Sequence, residues 1–431
     1  MLARQLVTDT AVAVVSHPAR SAYNLLTEPA VYLRAAAVGL LDKRIASRLV
    51  RKPPPIEDRG TLNPTVLEAK LAQVAGNDLS PAKIELFVHG GDALASLHRV
   101  IREANSRIDV LMYLWDSDAI GEEIAVSLAS RAGPDLPVRV LVDGGGNMIS
   151  GLPPNASAAE ANRIVCWLAR QPYVEVMRTR NPAARFDHRK LVLADGQVAW
   201  SGGRNFTAAS FFDYHDLSYT LEGPLAAEMA EVFDNFWHAQ GGASALPLPG
   251  ASDVTFANAS ARLVRTRPVK RQLADVLYTA VDQAQHHVYL ENPYLTDARL
   301  LAKLARARQR GADVRVVLTI HSDSKIIDSS NKVTANRLLR AGIRVYLYPG
   351  VTHVKATAVD SAWAYIGTGN FDALSMRHNR ELGVAIAPGP VVTALESDLF
   401  EPDFRPEWEL TEPLPLTGPE YFFEGLASLF L

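Results

Sequence analysis

Apolar residues along this chain follow two alternating rhythms. A helix-like stretch, LHRVIREANS (97–106), gives way to a short run rich in apolar, β-branched and aromatic residues, RIDVLMYLW (107–115). The succession recurs later, where LYTAVDQAQ (277–285) precedes HHVYLENPYL (286–295). In each half another helix leads into VRVLVDG (138–144) or VRVVLTI (314–320), and a further one into YVEVMRTR (173–180) or IRVYLYPG (343–350). Such alternation predicts α/β units with largely parallel core sheets. Because the order repeats, two α/β domains of like topology are expected, over residues 84–240 and 251–410. A linker rich in Gly, Ser and Pro, QGGASALPLPG (240–250), would join them. Residues 1–60 read as a helical extension closed by Pro53-Pro54-Pro55, and 411–431 as an apolar tail.

Composition narrows the class. With 431 residues, 48% apolar and 21% charged, the chain has ordinary globular make-up and a length that suits two domains. A formal charge of −3 argues against a general nucleic-acid binder, whose phosphate-facing surface is normally basic. The single cysteine, Cys166, excludes an intrachain disulfide framework and a cysteine-rich metal site. No signal peptide is read in MLARQLVTDTAVAVV, where Asp9 interrupts the apolar run. The early stretch 30–41 contains Arg34 and falls short of the roughly 20 residues a spanning helix needs. A cytoplasmic or peripheral-membrane location is therefore expected.

One polar pattern occurs twice. His188, Lys190, Asp195, Gly202 and Asn205 return as His353, Lys355, Asp360, Gly367 and Asn370, at identical spacing and 165 residues apart. HRKLVLAD and HVKATAVD are strand-like, and period-two geometry puts His and Lys side by side on one face. The aspartates, seven residues from each His, fall on the opposite face and are expected to make a structural salt bridge or turn contact. The following turns, Gly202-Gly203-Arg204-Asn205 and Gly367-Thr368-Gly369-Asn370, let backbone approach a ligand closely, with Gly203 and Thr368 expected to contact substrate and Asn205 and Asn370 presenting amide donors. Two lysines and two asparagines suit the non-bridging oxygens of a phosphodiester, and a neutral imidazole suits nucleophilic attack on phosphorus. No metal is implied, because lysines stand where a metal-dependent nuclease would cluster carboxylates. No cofactor is expected.

This doubled H-x-K-x4-D pattern resembles the phospholipase D superfamily and, within it, the bacterial cardiolipin synthase branch. FDHRKLVLADGQVAWSGGRNF carries the branch's H-R-K and G-G-x-N, and Asn370, Asp372, Ser375, Asn379 and Glu381 match its N-x-D-x-x-S and N-x-E. Asp118 to Gly121, Asp143 to Gly146, and Asn292-Pro293-Tyr294 occupy the places of its D-x-x-G, D-G-x-G and P-Y landmarks. Departures are Asp187 before the first histidine, Gly203 for Ser, and Gly367-Thr368-Gly369 for the usual G-S-x. The resemblance covers roughly residues 84–410.

It implies one histidine from each repeat meeting across a pseudo-twofold interface. His188 would be the nucleophile forming a phosphohistidine, and His353 the acid and base. Similar enzymes place an acidic residue downstream of each motif to orient the imidazole. Asp216 and Glu381, each 28 residues after its histidine, are assigned that role. The implied activity is phosphatidyl transfer between phospholipids, with phosphatidylglycerol as substrate; hydrolysis to phosphatidic acid and cleavage of nucleic acid are the alternatives. Partners would then be the lipid and a peripheral membrane surface, with no oligomer required to build the site.

Outside the motifs, His98, His238, His286 and His287 read as structural, while His215 and His321 are candidates to line the pocket. The tail's Phe422, Leu426 and Leu429 or Phe430 follow helical spacing, which suits either core docking or an interfacial helix. Lys43, Arg44, Arg48, Arg51 and Lys52 form a solvated basic face or a contact for anionic lipid.

Overall fold

The computed structural model describes residues 54–56, 62–149, 163–181, 185–243, 246–247, 257–267, 270–322 and 325–417. The expected helical extension therefore lies outside the described residues apart from 54–56, which have no regular structure. The basic face at 43–52 and the tail's apolar helix also lie outside them. Two compact units emerge: Ser80–Asn258 with Asn379–Leu382, and Ala259–His378 with the flanking segments 62–79 and 383–417.

In the first unit seven strands form one sheet: β1 (Ser80–Phe87), β2 (Ile108–Met112), β3 (Val138–Val142), β4 (Val174–Arg178), β5 (Lys190–Ala194), β6 (Val198–Gly202) and β7 (Ser218–Glu222). Their order is β1-β7-β6-β5-β2-β3-β4. In the second unit lie β8 (Ala259–Arg267), β9 (His287–Glu291), β10 (Asp313–Leu318), β11 (Arg344–Leu347), β12 (Ala356–Val359), β13 (Trp363–Gly367) and β14 (Glu381–Ile386), the first two residues of β14 being counted with the first unit. Read from the other edge, their order β11-β10-β9-β12-β13-β14-β8 is the same topology.

The α/β class is as expected, and the parallel pairing is confined to three strands of each unit. β2, β3 and β4 run parallel, as do β9, β10 and β11. Helices Ala119–Arg131 and Ala298–Gln309 make the crossovers that parallel neighbours require. β5 runs antiparallel to both β2 and β6, and β12 to both β9 and β13. The tight turn after each H-x-K strand folds the chain straight back and leaves no room for a crossover, which is why β6 and β13 run antiparallel to β5 and β12.

Each unit has its own core. In the first, Leu97, Ile101, Val110, Val140, Trp115 and Trp200 pack together; in the second, Leu277, Val281, Leu290, Leu304, Val316 and Val345 do. Full burial of side chains of this size contributes roughly 1.5–3 kcal/mol each. A buried ionic cluster ties helix Pro224–Ala239 to the first sheet. Arg107 and Arg139 both bind Asp109 and Asp234, and Arg139 lies over the Phe233 and Trp237 rings. The D-x-x-G landmark is structural: Asp118 caps helix Ala119–Arg131 at the Gly121 N–H, and a Cβ on Gly121 would fall 2.0 Å from the Asp116 carbonyl oxygen.

Candidate active site

Each motif leads into a strand that is buried along its whole length. Lys190 opens β5, and Lys355 directly precedes β12; both side chains are buried. The Lys190 ammonium donates to the His188 carbonyl oxygen at 2.9 Å, and that of Lys355 to the His353 carbonyl oxygen at 2.5 Å. The period-two spacing thus has the same outcome twice, a cation held against its histidine.

After each strand comes the motif aspartate, in left-handed backbone at φ 58° for Asp195 and 54° for Asp360. Asp is among the few residues that tolerate this conformation. The Asp195 carboxylate accepts from the Asn105, Ser106 and Arg107 N–H groups, and that of Asp360 from Gln285, His286 and His287. These are turn contacts that lock the hairpin to the loop entering β2 or β9, and neither aspartate makes a salt bridge in them. Burial acts to raise the Asp195 carboxyl, yet the donors from Ser106, Arg107 and Asn105 hold it below its ordinary value.

His188 is held through both its ring and its backbone. Its Nδ1 lies 3.0 and 3.2 Å from the two Glu381 carboxylate oxygens, and its backbone N–H donates to the Arg380 carbonyl oxygen at 3.0 Å. A carboxylate only accepts, so Nδ1 carries the hydrogen and the lone pair of the neutral ring sits on Nε2. Glu381 lies downstream of the second motif, yet it orients the first histidine; the equal spacing of 28 residues does not reveal that crossing. The Tyr113 ring stands edge-on to His188 with centroids 4.6 Å apart, and the Lys190 ammonium lies 4.9 Å over the same ring.

The residue before His188 is bound to a carboxylate whose place beside the motif the sequence does not announce. Asp143 is fully buried and accepts from the N–H groups of Gly145, Gly146 and Asp187, the Thr179 hydroxyl and the Asn181 amide, at 2.6–3.0 Å. Asp187 in turn pairs with Arg189 at 2.5 Å. The residues flanking His188 are thereby held from both sides. The glycines of this landmark make room for rings: a Cβ on Gly145 would meet Phe186 at 2.4 Å, and one on Gly146 would meet the Tyr113 carbonyl oxygen at 2.4 Å and its ring at 2.6 Å. Tyr113 and Asn181 carry no motif signal, and the D-G-x-G pattern was the only pointer to Asp143.

In the second unit Glu291, at the end of β9, accepts a short hydrogen bond from the hydroxyl of Thr352, the residue before His353. Asn292 of the N-P-Y landmark accepts from the Phe371 N–H at 3.0 Å and donates to the Gly369 carbonyl oxygen at 3.5 Å, bracketing Asn370. Among the described residues, Asn205 Oδ1 and Asn370 Oδ1 are buried without a hydrogen-bond partner. Which amide end is nitrogen is a matter of assignment, so either end can meet a ligand there.

Gly203 has a different duty from ligand approach. A Cβ on it would fall 2.0 Å from Asp216 Oδ1, so glycine is what lets that buried carboxylate lie against the turn. Asp216 also accepts from the Leu217 N–H at 2.8 Å. Thr368 is fully buried. His215 is half-buried on the short strand Tyr214–His215, whereas His321 is exposed beyond β10. His98 bonds Ser127 and Glu123, His238 the Gly242 carbonyl oxygen, and His287 Glu396.

Comparison with known proteins gives this geometry a context. The family described as "Cardiolipin synthase, PLD-like domain" matches residues 97–237 and 277–401. Cardiolipin synthase A of Salmonella paratyphi A is 28% identical over 333 residues, covering 73% of this chain and 67% of that protein. Cardiolipin synthase A of Buchnera aphidicola is 26% identical over 319 residues, covering 70% and 65%. The chain therefore spans about two thirds of the length of these relatives. Among solved structures, phosphatidylserine synthase of Haemophilus influenzae superposes with a TM-score of 0.64 at 16% identity, over 85% of this chain and 96% of that one. At that identity the likeness speaks for the fold alone.

Proposed function

The chain belongs to the cardiolipin synthase, phospholipase D-like family, and from that membership and the doubled His-Lys-Asn sites we propose that it is a phosphatidyltransferase acting through a phosphohistidine. The observation that carries this reading is the Nδ1 contact of His188 with Glu381, 3.0 Å long, which poises Nε2 as a nucleophile. In the first half-reaction His188 Nε2 attacks the phosphatidyl phosphorus, and the bond from phosphorus to the alcohol oxygen breaks. His353 gives that alcohol its proton. In the second, His353 takes the proton of an acceptor hydroxyl, whose oxygen attacks phosphorus and releases the histidine. Lys190, Lys355, Asn205 and Asn370 stabilise the charge on the non-bridging oxygens, typically the largest catalytic contribution. With phosphatidylglycerol as both donor and acceptor the products are cardiolipin and glycerol.

The test is to incubate purified protein with phosphatidylglycerol and resolve the lipids by mass spectrometry. Cardiolipin formation that disappears in His188→Ala is expected. Phosphatidic acid alone would make water the acceptor and the protein a hydrolase, and no turnover of phospholipid at all would sink the proposal.

A further inference from the structure

We propose that the second unit carries a docking site for the headgroup of an anionic, glycerol-bearing bilayer lipid, in the cavity between helices Gln272–Gln283 and Ala298–Gln309. The cavity measures about 430 Å³ and is lined by Asp275, Tyr278, Thr279, Arg299, Lys303 and Arg306, with Ala302 and Val74. None of these is a motif residue.

The helix sequence ARLLAKLARARQ explains the surface. Arg299, Lys303 and Arg306 recur at four- and three-residue intervals and share one face, while Leu300, Leu304 and Ala307 are buried on the other. Lys303 is half-buried and bound to Asp282, so Arg299 and Arg306, both exposed, carry the attraction for an anion. The Arg299 guanidinium and the Lys303 ammonium each lie 5.6 Å from the Tyr278 ring centroid, which holds the cations at the mouth. With Lys303 paired to Asp282, Arg299 and Arg306 still outnumber the one lining carboxylate, Asp275, and so oppose the sign of the whole chain, whose formal charge is −3.

Asp275 and Thr279 refine the chemistry. A bare phosphate would find the Asp275 carboxylate repulsive, but a headgroup that also bears hydroxyls can donate to it. The Thr279 hydroxyl already donates to the Asp275 carbonyl oxygen at 2.7 Å and keeps its lone pairs for a further donor. Phosphate toward the arginines and polyol toward Asp275 and Thr279 is the arrangement the cavity fits. The choice of a bilayer lipid as occupant rests on the phospholipid reading above.

The experiment is vesicle co-sedimentation of the full chain with phosphatidylglycerol diluted in phosphatidylcholine, beside turnover of a short-chain monomeric phosphatidylglycerol. Arg299→Gln/Arg306→Gln is expected to bind vesicles about tenfold more weakly, since each basic residue near an anionic surface contributes substantially. Turnover of the short-chain lipid should be unchanged. Arg102→Gln/Arg170→Gln, which removes two exposed cations from the first unit, should bind like the parent. Unchanged vesicle binding by the first pair, equal loss by both pairs, or lost turnover of the short-chain lipid each overturns the proposal. Inorganic phosphate, followed by calorimetry, is the second arm. If the first pair abolishes phosphate binding and spares vesicle binding, the cavity is a free-phosphate site and lipid docking is wrong. A parent protein inactive on every phospholipid would sink the enzymatic reading, while the vesicle comparison would still decide this one.

Discussion

Glu381 does more for His188 than any residue near it in sequence, because only an acceptor at Nδ1 leaves the Nε2 lone pair available. Replacing it by Gln keeps an acceptor but loses the charge that stabilises an imidazolium. Glu381→Gln is expected to lower kcat roughly 10²–10⁴-fold. In a His188→Ala background the same Glu381→Gln change should cost little, since residues that act as a unit are not additive. Steady-state rates on a short-chain lipid check both, and near-parental activity of Glu381→Gln would refute the orienting role. Asp143 offers a second test. Burial pushes its carboxyl up to about 6, helped by the nearby charge of Asp187 and opposed by donors from Gly146, Asp187 and Asn181. The folded protein then holds a proton that the unfolded chain releases in the ordinary carboxylate range. Stability supplied by that proton is fully present below that range and is lost as pH rises through about 6, by at most roughly 3 kcal/mol. Urea unfolding across this window should show the decline in the parent and lose it in Asp143→Asn. A difference between the two proteins that does not vary with pH would contradict the assignment.

At the scale of the hairpin, three backbone N–H groups donate to each motif aspartate. Asp195→Ala and Asp360→Ala leave these donors without their acceptor and put alanine at positive φ. Each is expected to destabilise the protein by roughly 2–4 kcal/mol. Asp195→Asn, which tolerates left-handed backbone and retains one acceptor, should lose less. Melting temperatures measure this, and an alanine variant as stable as the parent would show that the turn is held by something else. The same hairpin turn explains why alternating helices and strands suggested more parallel pairing than exists. The alternation is real, but it says nothing about the strand that follows a tight reversal. Gly203→Ala, whose Cβ would lie 2.0 Å from Asp216, is a related case in which one methyl must move a buried carboxylate.

For the whole molecule, both motifs lie on one chain, so a single copy is expected to supply the full set of reacting groups. Mixing purified His188→Ala with His353→Ala should then restore no activity, and recovery in the mixture would mean that two chains share a site. The doubled motif, its pairing of His with Lys, the α/β class and the family were all legible in the sequence, because each rests on short-range periodicity: a strand repeats every two residues wherever it lies. The contacts that make His188 a distinct chemical group were not legible in that way. Its carboxylate comes from 193 residues away, and Asp143 reaches Asp187 across 44. Equal spacing nominated Asp216 and Glu381 alike, and only the folded chain shows His188 turned toward Glu381. Spacing along a chain sets which face a side chain occupies, whereas its partner is chosen by chain closure, through packing that no local period encodes.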